Sequence, residues 1–393
     1  MVLPLGPTPL ADAYVAKEHL SIPQHSYPLD LYLCKDCGFS QLLDVVHGES
    51  VYLDYIYETT SSLGLVEHFD KYAEEVSSRL GLSTGDFICD IGSNDGTLLR
   101  SFKKRGLKVM GVDPARAIAK AATESGIPTK ADFFTLKVAQ EIKSEVQGAS
   151  LITANNIFAN VDDLASMVTG IKELLAPAGV FVFESFYLGD LVKNMVFDFI
   201  YHEHLSAFSV KPVQQFFKRF GMELFDVQRI PTKGGSLRFY IQNSGGTRPV
   251  TNAVHDLIAL EKKEGIQDSE TFTAFRKKIG AAKAETVSLL KGIIAKGQTV
   301  AGYGASATTT TLLYHFGITE MISFIADDYP VKHNLFSPKA HIPVLPSSAL
   351  YEKKPDYVFI IAWRYFEPII NKHREYQKSG GKFIVPLPTL KVL

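Results

Sequence analysis

Cysteine is scarce in this sequence. The 393 residues include three cysteines, Cys34, Cys37 and Cys89, which are too few for the disulfide framework that stabilises many small secreted proteins. The scarcity predicts a protein of a reducing compartment, with the cytoplasm as the default location.

Long hydrophobic runs and an excess of one charge are also missing. No apolar stretch approaches the roughly 20 residues that a membrane-spanning helix needs. The N-terminus has prolines at positions 4, 7 and 9 where a signal peptide would have a basic and then an apolar segment. The formal net charge of -1 offers no basic surface for nucleic acid. We therefore expect neither a membrane nor a nucleic acid as partner, and a soluble chain of about two or three domains.

A glycine-rich loop after a buried strand is the first positive signal. Residues 87–96 read FICDIGSNDG, in which an apolar strand ends at Asp90 and the chain turns through Gly92 and Gly96 into a helix. Glycines let the backbone approach a ligand closely, and the start of a helix offers unpaired N–H groups. The spacing Asp-x-Gly-x-x-x-Gly differs from the dinucleotide fingerprint G-x-G-x-x-G. The alternative is a strand-turn-helix that binds nothing.

Polar side chains also follow two later strands. Asp113 ends the strand at 108–112, where a carboxylate can accept hydrogen bonds from a ribose diol. Asn155 and Asn156 end another strand, and their amides suit a ligand at the carboxyl edge of the sheet, although asparagine is also common in turns and caps. The predicted cofactor-binding residues are Asp90, Gly92, Ser93, Asn94, Gly96, Asp113, Asn155 and Asn156.

The N-terminal segment contains a possible metal site. Cys34 and Cys37 form a CxxC knuckle followed by Gly38, which is half of a zinc ribbon. A closed structural zinc site needs four ligands, and His19 and His25 are the candidates to complete it. The alternative is a pair of unligated cysteines.

Titratable side chains are concentrated in the run Tyr201-His202-Glu203-His204. A carboxylate, imidazoles and a phenol within a few residues are the groups needed to remove and relay a proton near neutral pH. We predict Tyr201, Glu203 and His204 as catalytic residues, against the alternative of structural histidines.

Three further segments have the composition of a substrate site. The segment at 51–62 combines tyrosines with hydroxyl residues that suit a phosphate or a sugar, or forms an ordinary strand. A Gly-Gly turn at 232–238 and a Gly-x-Gly-Ala-Ser turn at 302–306 suit phosphate or carbonyl oxygens, or are plain turns. The predicted substrate-binding residues are Tyr55, Tyr57, Ser61, Lys233, Gly235, Ser236, Arg238, Gly304, Ser306 and Asp327.

The order of strands and helices predicts the fold class. Apolar strands alternate with helical stretches from 87 to 184 and again from 299 onward, which favours two doubly wound α/β units. Apolar residues recur at helical spacing between them. The predicted domains are a small N-terminal domain at 1–62, a central domain at 63–247, a helical connector at 248–296 and a C-terminal Rossmann-like domain at 297–393.

Taken in order, the CxxC knuckle, the tyrosine-rich segment, DIGSNDG, ANN, IYHEHLSAFS, GGSLR and GYGAS resemble those of the S-adenosylmethionine (SAM)-dependent sugar C-methyltransferases. These enzymes act on nucleotide-linked 4-keto-deoxysugars. The resemblance implies a zinc-binding N-terminal domain, a central class I methyltransferase domain for SAM, and a C-terminal domain that helps to hold the nucleotide sugar. It also implies that His204 is the general base, with Tyr201 and Glu203 beside it.

The sequence departs from the family pattern at three places. The family usually has two cysteine pairs in its N-terminal domain, and this chain begins too late to carry the first. Lys233 stands where histidine is common before Gly-Gly, and Asn160 where histidine is common after the ANN motif. We expect these two departures to bear on substrate preference or on accessory proton transfer.

The expected chemistry follows from the residue types. A carbon next to a ketone becomes nucleophilic only after it loses a proton, so the site needs a base, a stabiliser for the enolate oxygen and a methyl sulfonium. His204 suits the first role, Tyr201 or another nearby donor the second, and the loop at 90–96 would hold the third. The alternatives are a sugar O-methyltransferase, and a non-catalytic protein that binds a nucleotide sugar or NAD.

Overall fold

A computed structural model describes residues 1–46 and 64–393, and the strands in these residues form three sheets. The strands are β1 (Leu3–Pro4), β2 (Asp30–Leu33), β3 (Ser40–Leu42), β4 (Phe87–Ile91), β5 (Lys108–Val112), β6 (Thr129–Lys130), β7 (Ala149–Thr153), β8 (Leu175–Phe186), β9 (Ser206–Ala207), β10 (Met222–Ile230), β11 (Ser236–Asn243), β12 (Val300–Tyr303), β13 (Ile325–Asp327), β14 (Val344–Pro346), β15 (Tyr357–Ile360), β16 (Lys382–Val385) and β17 (Lys391–Val392). The α-helices are α1 (Leu65–Leu80), α2 (Thr97–Lys104), α3 (Arg116–Glu124), α4 (Leu136–Val146), α5 (Leu164–Leu174), α6 (Leu188–Lys193), α7 (Val210–Lys218), α8 (Asn252–Glu264), α9 (Ser269–Ile294), α10 (Ala307–Phe316), α11 (Ala349–Lys353), α12 (Phe366–Lys372) and α13 (Arg374–Lys378).

The central sheet has the strand order β10-β11-β8-β7-β4-β5-β6. Strands β4 to β8 run parallel, and β11 lies antiparallel between β8 and β10. Every residue of β4 is buried, which explains why the strand is an almost continuous apolar run up to Asp90. Because parallel strands end at the same edge of a sheet, β4, β5 and β7 bring Asp90, Asp113 and Asn155 to one edge. The predicted doubly wound α/β sheet is confirmed.

The C-terminal sheet repeats this organisation with the order β14-β13-β12-β15-β16-β17. Its strands are parallel except for β17. The helical spacing found between the two α/β units corresponds to α8 and α9, and α9 buries Phe272, Phe275 and Ile279 along one side. None of the described helices is both long and apolar enough to cross a lipid bilayer.

The N-terminal sheet is completed by a strand from the middle of the chain. Its order is β1-β2-β3-β9, and Gln41 of β3 pairs with Ser206 of β9. The backbone N–H of Leu42 donates to the carbonyl of Leu205 at 2.8 Å. The N-terminal sheet therefore anchors the segment that directly follows the Tyr-His-Glu-His run.

A buried ion cluster joins β8, β11 and α1. Arg238 lies opposite Glu184 across the strand pair, and its Nε and Nη2 donate to Glu184 Oε2 at 3.2 and 3.1 Å. His68 Nε2 contacts the other carboxylate oxygen at 2.8 Å, and the guanidinium also lies 4.0 Å from the ring centre of Tyr72. Burial raises the pKa of Glu184, but the hydrogen bond from His68 and the Arg238 charge outweigh it and hold that pKa below its usual range.

We predict that Arg238→Met lowers the free energy of unfolding by roughly 3 to 5 kcal/mol, because it leaves the buried Glu184 carboxylate without its charge partner. Urea denaturation measures the loss. Arg219→Met removes an exposed arginine and is the matched control. Equal stability of the two variants would show that the ion pair contributes nothing.

Candidate active site

A cavity of about 1090 Å³ lies where the three sheets meet. Ligand sites for a single small molecule usually measure roughly 300 to 1,000 Å³, so this cavity has room for a cofactor together with a second ligand. Its wall is formed by the carboxyl edge of the central sheet, the run at 199–205, the loop after β12 and the segment at 362–365. The cavity thus collects residues from all three parts of the chain.

Two buried carboxylates line the end of the cavity at the central sheet. Asp90 accepts a hydrogen bond from Thr153 Oγ1 at 2.5 Å, and burial raises the pKa of Asp90 to about 7. Asp113 accepts hydrogen bonds from the backbone N–H groups of Asn94 and Ala115 at 2.8 and 2.9 Å, and burial raises its pKa also. Since both carboxylates are costly to ionise without a counter-charge, this end of the cavity favours a ligand that carries positive charge.

The glycine loop brings polar side chains against the same end. Gly92 has φ of 70°, and a Cβ there would lie 2.9 Å from Ile157 Cγ1, so only glycine fits. Ser93 Oγ and Asn155 Nδ2 are buried and have no hydrogen-bond partner among the described residues. Asn155 Oδ1 is already used, because it accepts from the backbone N–H of Glu184 at 2.9 Å. These two unpartnered groups fit the binding of a polar cofactor.

Sequence reasoning missed an aromatic wall beside these groups. Phe133 and Phe134 line the cavity just after β6. Two consecutive aromatic residues after a short strand were the available signal, but β6 has only two residues and gives no clear strand pattern. The wall suits a flat ring next to the Asp113 carboxylate.

The predicted catalytic residues Tyr201, Glu203 and His204 all line the cavity. His204 Nδ1 lies 2.7 Å from the carbonyl oxygen of Phe199. A carbonyl only accepts hydrogen bonds, so Nδ1 carries the proton and Nε2 carries the lone pair. Burial, together with the charge of Lys233, lowers the pKa of His204 to about 3. The imidazole is therefore neutral at physiological pH, as a general base must be.

His202 has a different position from His204. Its Nε2 lies 3.3 and 3.1 Å from the carbonyl oxygens of Tyr27 and Pro28, which ties it to the N-terminal segment. The ring of His204 instead packs 4.0 Å from the ring of Tyr201, centre to centre. His202 thus anchors the run to the N-terminal segment, whereas His204 packs against Tyr201, and both histidines line the cavity.

Two cations face the cavity near His204. Lys233 lines the cavity in a left-handed backbone conformation, with φ of 55°. Arg364, which sequence reasoning missed, donates from Nη1 to the two oxygens of the buried Asp198 at 3.0 and 3.1 Å. Its Nε is buried without a partner in the described part of the chain. An isolated arginine after a strand carries no pattern that would mark it from sequence.

The C-terminal unit reproduces the carboxylate arrangement of the central sheet. Asp327, at the end of β13, accepts from the backbone N–H groups of Ala305 and Tyr329 at 2.6 and 2.7 Å. Asp113 makes the equivalent pair of bonds, one to its glycine loop and one to the residue two positions on. Asp327 and Ser306 both line the cavity, so this second strand-end site opens into the same space.

Some predicted residues do not line the cavity. Arg238 is engaged by Glu184, and Ser236 Oγ donates to the carbonyl of Thr232 at 3.1 Å, so the substrate contacts expected of these two have no support in this geometry. A Cβ at Gly235 would lie 2.4 Å from Asp190, which gives that glycine a packing role. The predicted residues absent from the cavity wall are Gly96, Gly235, Ser236, Arg238 and Gly304. Tyr55, Tyr57 and Ser61 lie outside the described residues.

Cys34 and Cys37 form a tight turn but not a full metal site. The Cys34 N–H donates to the carbonyl of Phe39 at 2.8 Å, and the Gly38 N–H donates to that of Cys34 at 3.0 Å. Within residues 1–46 and 64–393, no three His, Cys, Asp or Glu side chains are grouped so that they could hold a metal. The suggestion that His19 and His25 complete a four-ligand zinc site is therefore wrong for the described residues.

Comparison with known proteins gives family matches along the whole chain. The family model described as "Putative zinc binding domain" matches residues 1–52, "Methyltransferase domain" matches 66–227, and "C-methyltransferase C-terminal domain" matches 231–388. The C-methyltransferase NovU of Streptomyces niveus is 33% identical over 393 residues, which are 100% of this chain and 94% of that protein.

Solved structures resemble the chain over less than half of its length. The magnesium protoporphyrin IX methyltransferase of Synechocystis PCC 6803 has a TM-score of 0.36 and 13% identity, covering 46% of this chain and 84% of that one. A SAM-dependent methyltransferase of Mesorhizobium loti has a TM-score of 0.35 and 16% identity, covering 44% of this chain and 100% of that one. These structural likenesses are too low to add to the full-length match.

We predict that the imidazole of His204 stays neutral, with the proton on Nδ1, down to about pH 4 in the free protein. Nitrogen-15 NMR on histidine-labelled protein measures this, with His204→Gln to assign the signal. Because burial puts the folded pKa below the unfolded value of about 6.5, the unfolded state alone takes up a proton as the pH falls below 6.5, and folding stability falls with it. A His204 signal that titrates between pH 6 and 7 would contradict the buried, neutral imidazole.

Proposed function

The chain belongs to the SAM-dependent C-methyltransferase family, and from this premise we propose that it methylates the carbon next to the ketone of a nucleotide-linked 4-keto-deoxysugar. The observation that carries the proposal is His204, a buried neutral imidazole whose Nδ1 is engaged and whose Nε2 keeps its lone pair, in the wall of the cavity that also holds the cofactor residues. Methylation of carbon, unlike that of oxygen, starts by removing a proton from a carbon acid. A neutral base shielded from water is suited to that step.

The residues at the central sheet fit the cofactor. SAM supplies, when bound, a methyl group on a positively charged sulfur. Asp90 and Asp113 offer the negative charge that such a ligand needs, and Ser93 Oγ and Asn155 Nδ2 offer unpartnered polar groups. Phe133 adds an apolar face for a flat base. The cofactor prediction from sequence thus agrees with the chemistry of the donor set.

The opposite wall has the groups that a nucleotide sugar needs. Ser306 precedes α10 and Asp327 ends β13, so a hydroxyl and a carboxylate are presented from the C-terminal sheet. Arg364 has an unpartnered Nε, and guanidinium groups are well suited to phosphate oxygens. We assign the nucleotide and its phosphates to this wall, which leaves the sugar beside the run at 201–204.

The proposed reaction has two steps, removal of a proton and then methylation of the same carbon. His204 Nε2 takes the proton from the carbon next to the ketone, and the electrons of the C–H bond pass into the carbon–carbon bond and onto the ketone oxygen. A donor beside His204 stabilises that oxygen. Bound SAM would supply the methyl group to this carbon, its methyl–sulfur bond breaking with the electron pair left on sulfur, so that S-adenosylhomocysteine is the leaving group. The ketone is restored, and His204 returns its proton to solvent.

We predict that SAM affinity rises with pH between about 5.5 and 7.5 and then levels off. A cationic ligand binds the ionised form of Asp90, whose pKa in the free protein is about 7, so binding at lower pH must first expel a proton. Calorimetry in buffers of different ionisation enthalpy measures the released proton. Asp90→Asn should remove this dependence and weaken binding by roughly 1.5 to 3 kcal/mol.

Asp256→Asn, which changes an exposed carboxylate on α8, is the matched control and should bind SAM with the wild-type pH dependence. If wild type and Asp90→Asn bind SAM equally at every pH, Asp90 does not face the positive charge of the cofactor.

We predict that His204→Asn retains SAM binding and loses methyl transfer by roughly a hundredfold or more, the usual scale for a lost general base. A 4-keto sugar nucleotide in deuterated water gives the sharper readout, because wild type should exchange the proton next to the ketone and the variant should not. His255→Asn, which changes an exposed histidine on α8 outside the cavity wall, is the control. Wild-type exchange by His204→Asn would assign the base to Glu203 or another group.

A further inference from the structure

Lys233 presents to the cavity an ammonium group that no salt bridge neutralises within residues 1–46 and 64–393. The two other half-buried or buried cations of the cavity wall are paired: Lys332 Nζ contacts Asp12 and donates to the carbonyl of Ala305 at 2.7 Å, and Arg364 is held by Asp198. Among the described residues the ammonium of Lys233 has no salt bridge and no hydrogen bond. A half-buried ammonium without a partner is costly unless a ligand supplies one.

The loop that carries Lys233 is held in place on both sides. The Gly235 N–H donates to the carbonyl of Thr232 at 2.9 Å, and Asn194 Nδ2 donates to the carbonyl of Gly234 at 2.9 Å. A Cβ on Gly234 would come within 3.3 Å of Arg364 Cδ, so the loop packs directly against the C-terminal unit. This packing fixes the direction from which the lysine enters the cavity.

Lys233 also lies within electrostatic reach of the base. Its charge contributes to the low pKa of His204, although burial is the larger cause. Burial lowers the pKa of Lys233 itself to about 8, so the amine is still mostly protonated at neutral pH. The charged and titratable groups around it are Glu184 on β8, Glu203 and His204 in the run at 201–204, and Arg364 from the C-terminal unit.

Because His204 is a weak base, proton transfer to it from carbon is unfavourable, and a nearby cation can offset this by stabilising the enolate. Each unit by which the pKa of protonated His204 lies below the pKa of the carbon acid lowers the equilibrium constant for proton transfer about tenfold. The ketone oxygen gains negative charge as the proton leaves, and a cation fixed next to that oxygen stabilises the enolate. The same cation acts on the imidazole before the reaction and on the oxygen during it.

We propose that Lys233 is a catalytic residue whose Nζ donates a hydrogen bond to the ketone oxygen and stabilises the enolate that forms when His204 removes the neighbouring proton. This inference rests on the proposed function. Lys233 keeps its own proton throughout, and no covalent bond to the sugar is formed. The role differs from the phosphate or carbonyl binding expected from the sequence, because it acts on the transition state more than on the bound substrate.

The test measures proton exchange without methyl transfer. A nucleotide-linked 4-keto-6-deoxyhexose is incubated in deuterated water with S-adenosylhomocysteine and either wild type, Lys233→Met, Lys233→Arg or Lys193→Met. Lys193 is an exposed lysine on α6, next to the Asn194 that holds the loop, and lies outside the cavity wall. We expect Lys233→Met to lower the exchange rate about a hundredfold, Lys233→Arg to restore part of it, and Lys193→Met to match wild type.

The pH profile separates a catalytic cation from a structural lysine. Wild-type exchange should fall above about pH 8 as Lys233 loses its proton, whereas Lys233→Arg should show no such fall because a guanidinium stays charged. SAM affinity should be the same in all four proteins. This measurement is the control that Lys233→Met is folded.

Three results would overturn the inference. One is a Lys233→Met variant that exchanges like wild type. Another is a variant with a raised KM and an unchanged kcat, which would indicate ground-state binding only. The third is a borohydride-trapped sugar adduct on Lys233, which would show an imine instead of a hydrogen bond. Wild type that neither exchanges nor methylates any keto sugar would instead refute the proposed function, and the inference with it.

Discussion

The hydrogen bond from His204 Nδ1 to the carbonyl of Phe199 determines what the cavity can do. It sets the tautomer, leaves the lone pair on Nε2, and holds the ring where Phe186 and Tyr201 pack against it. Burial keeps the imidazole neutral, and the N-terminal sheet secures the chain on the far side through Leu205. Without this bond the same histidine would be a buried polar ring with no defined role in proton transfer.

Acidic side chains and the ammonium of Lys233 occupy different parts of the cavity wall. Asp90 and Asp113 make the central-sheet end negative, whereas the ammonium of Lys233 lies near His204. Under the proposed function, a cationic methyl donor would bind beside the two carboxylates, and the carbon to be methylated would lie between that donor and Lys233, next to His204. Such fixed charges stabilise developing charge without reorganising during the reaction, which is the main source of electrostatic catalysis.

Local patterns in the sequence predicted the parts of the site that lie on one strand end or one short run. The Asp90 loop, Asp113 and the Tyr-His-Glu-His run were found because glycine spacing and clustered titratable groups are visible without the fold. Arg364 and Phe133 were missed because only the packing of distant segments gives them a role. Arg238 was predicted to bind substrate because its partner, Glu184, is more than fifty residues away and cannot be recognised as a partner from the sequence. Cys34 and Cys37 supply two of the four ligands that a closed zinc site needs, so the sequence left zinc uncertain, and the match of residues 1–52 to a putative zinc binding domain agrees with that expectation.

The central claim is that the methyl group is placed on the carbon next to the ketone. It is tested most directly by incubating the protein with carbon-13 methyl-labelled SAM and a nucleotide-linked 4-keto-6-deoxyhexose, and by locating the label in the product by NMR. The account predicts that the labelled methyl group is bonded to carbon and shows a long-range correlation to the ketone carbon. A label attached to a sugar oxygen, or no labelled product from any 4-keto sugar nucleotide, would contradict it.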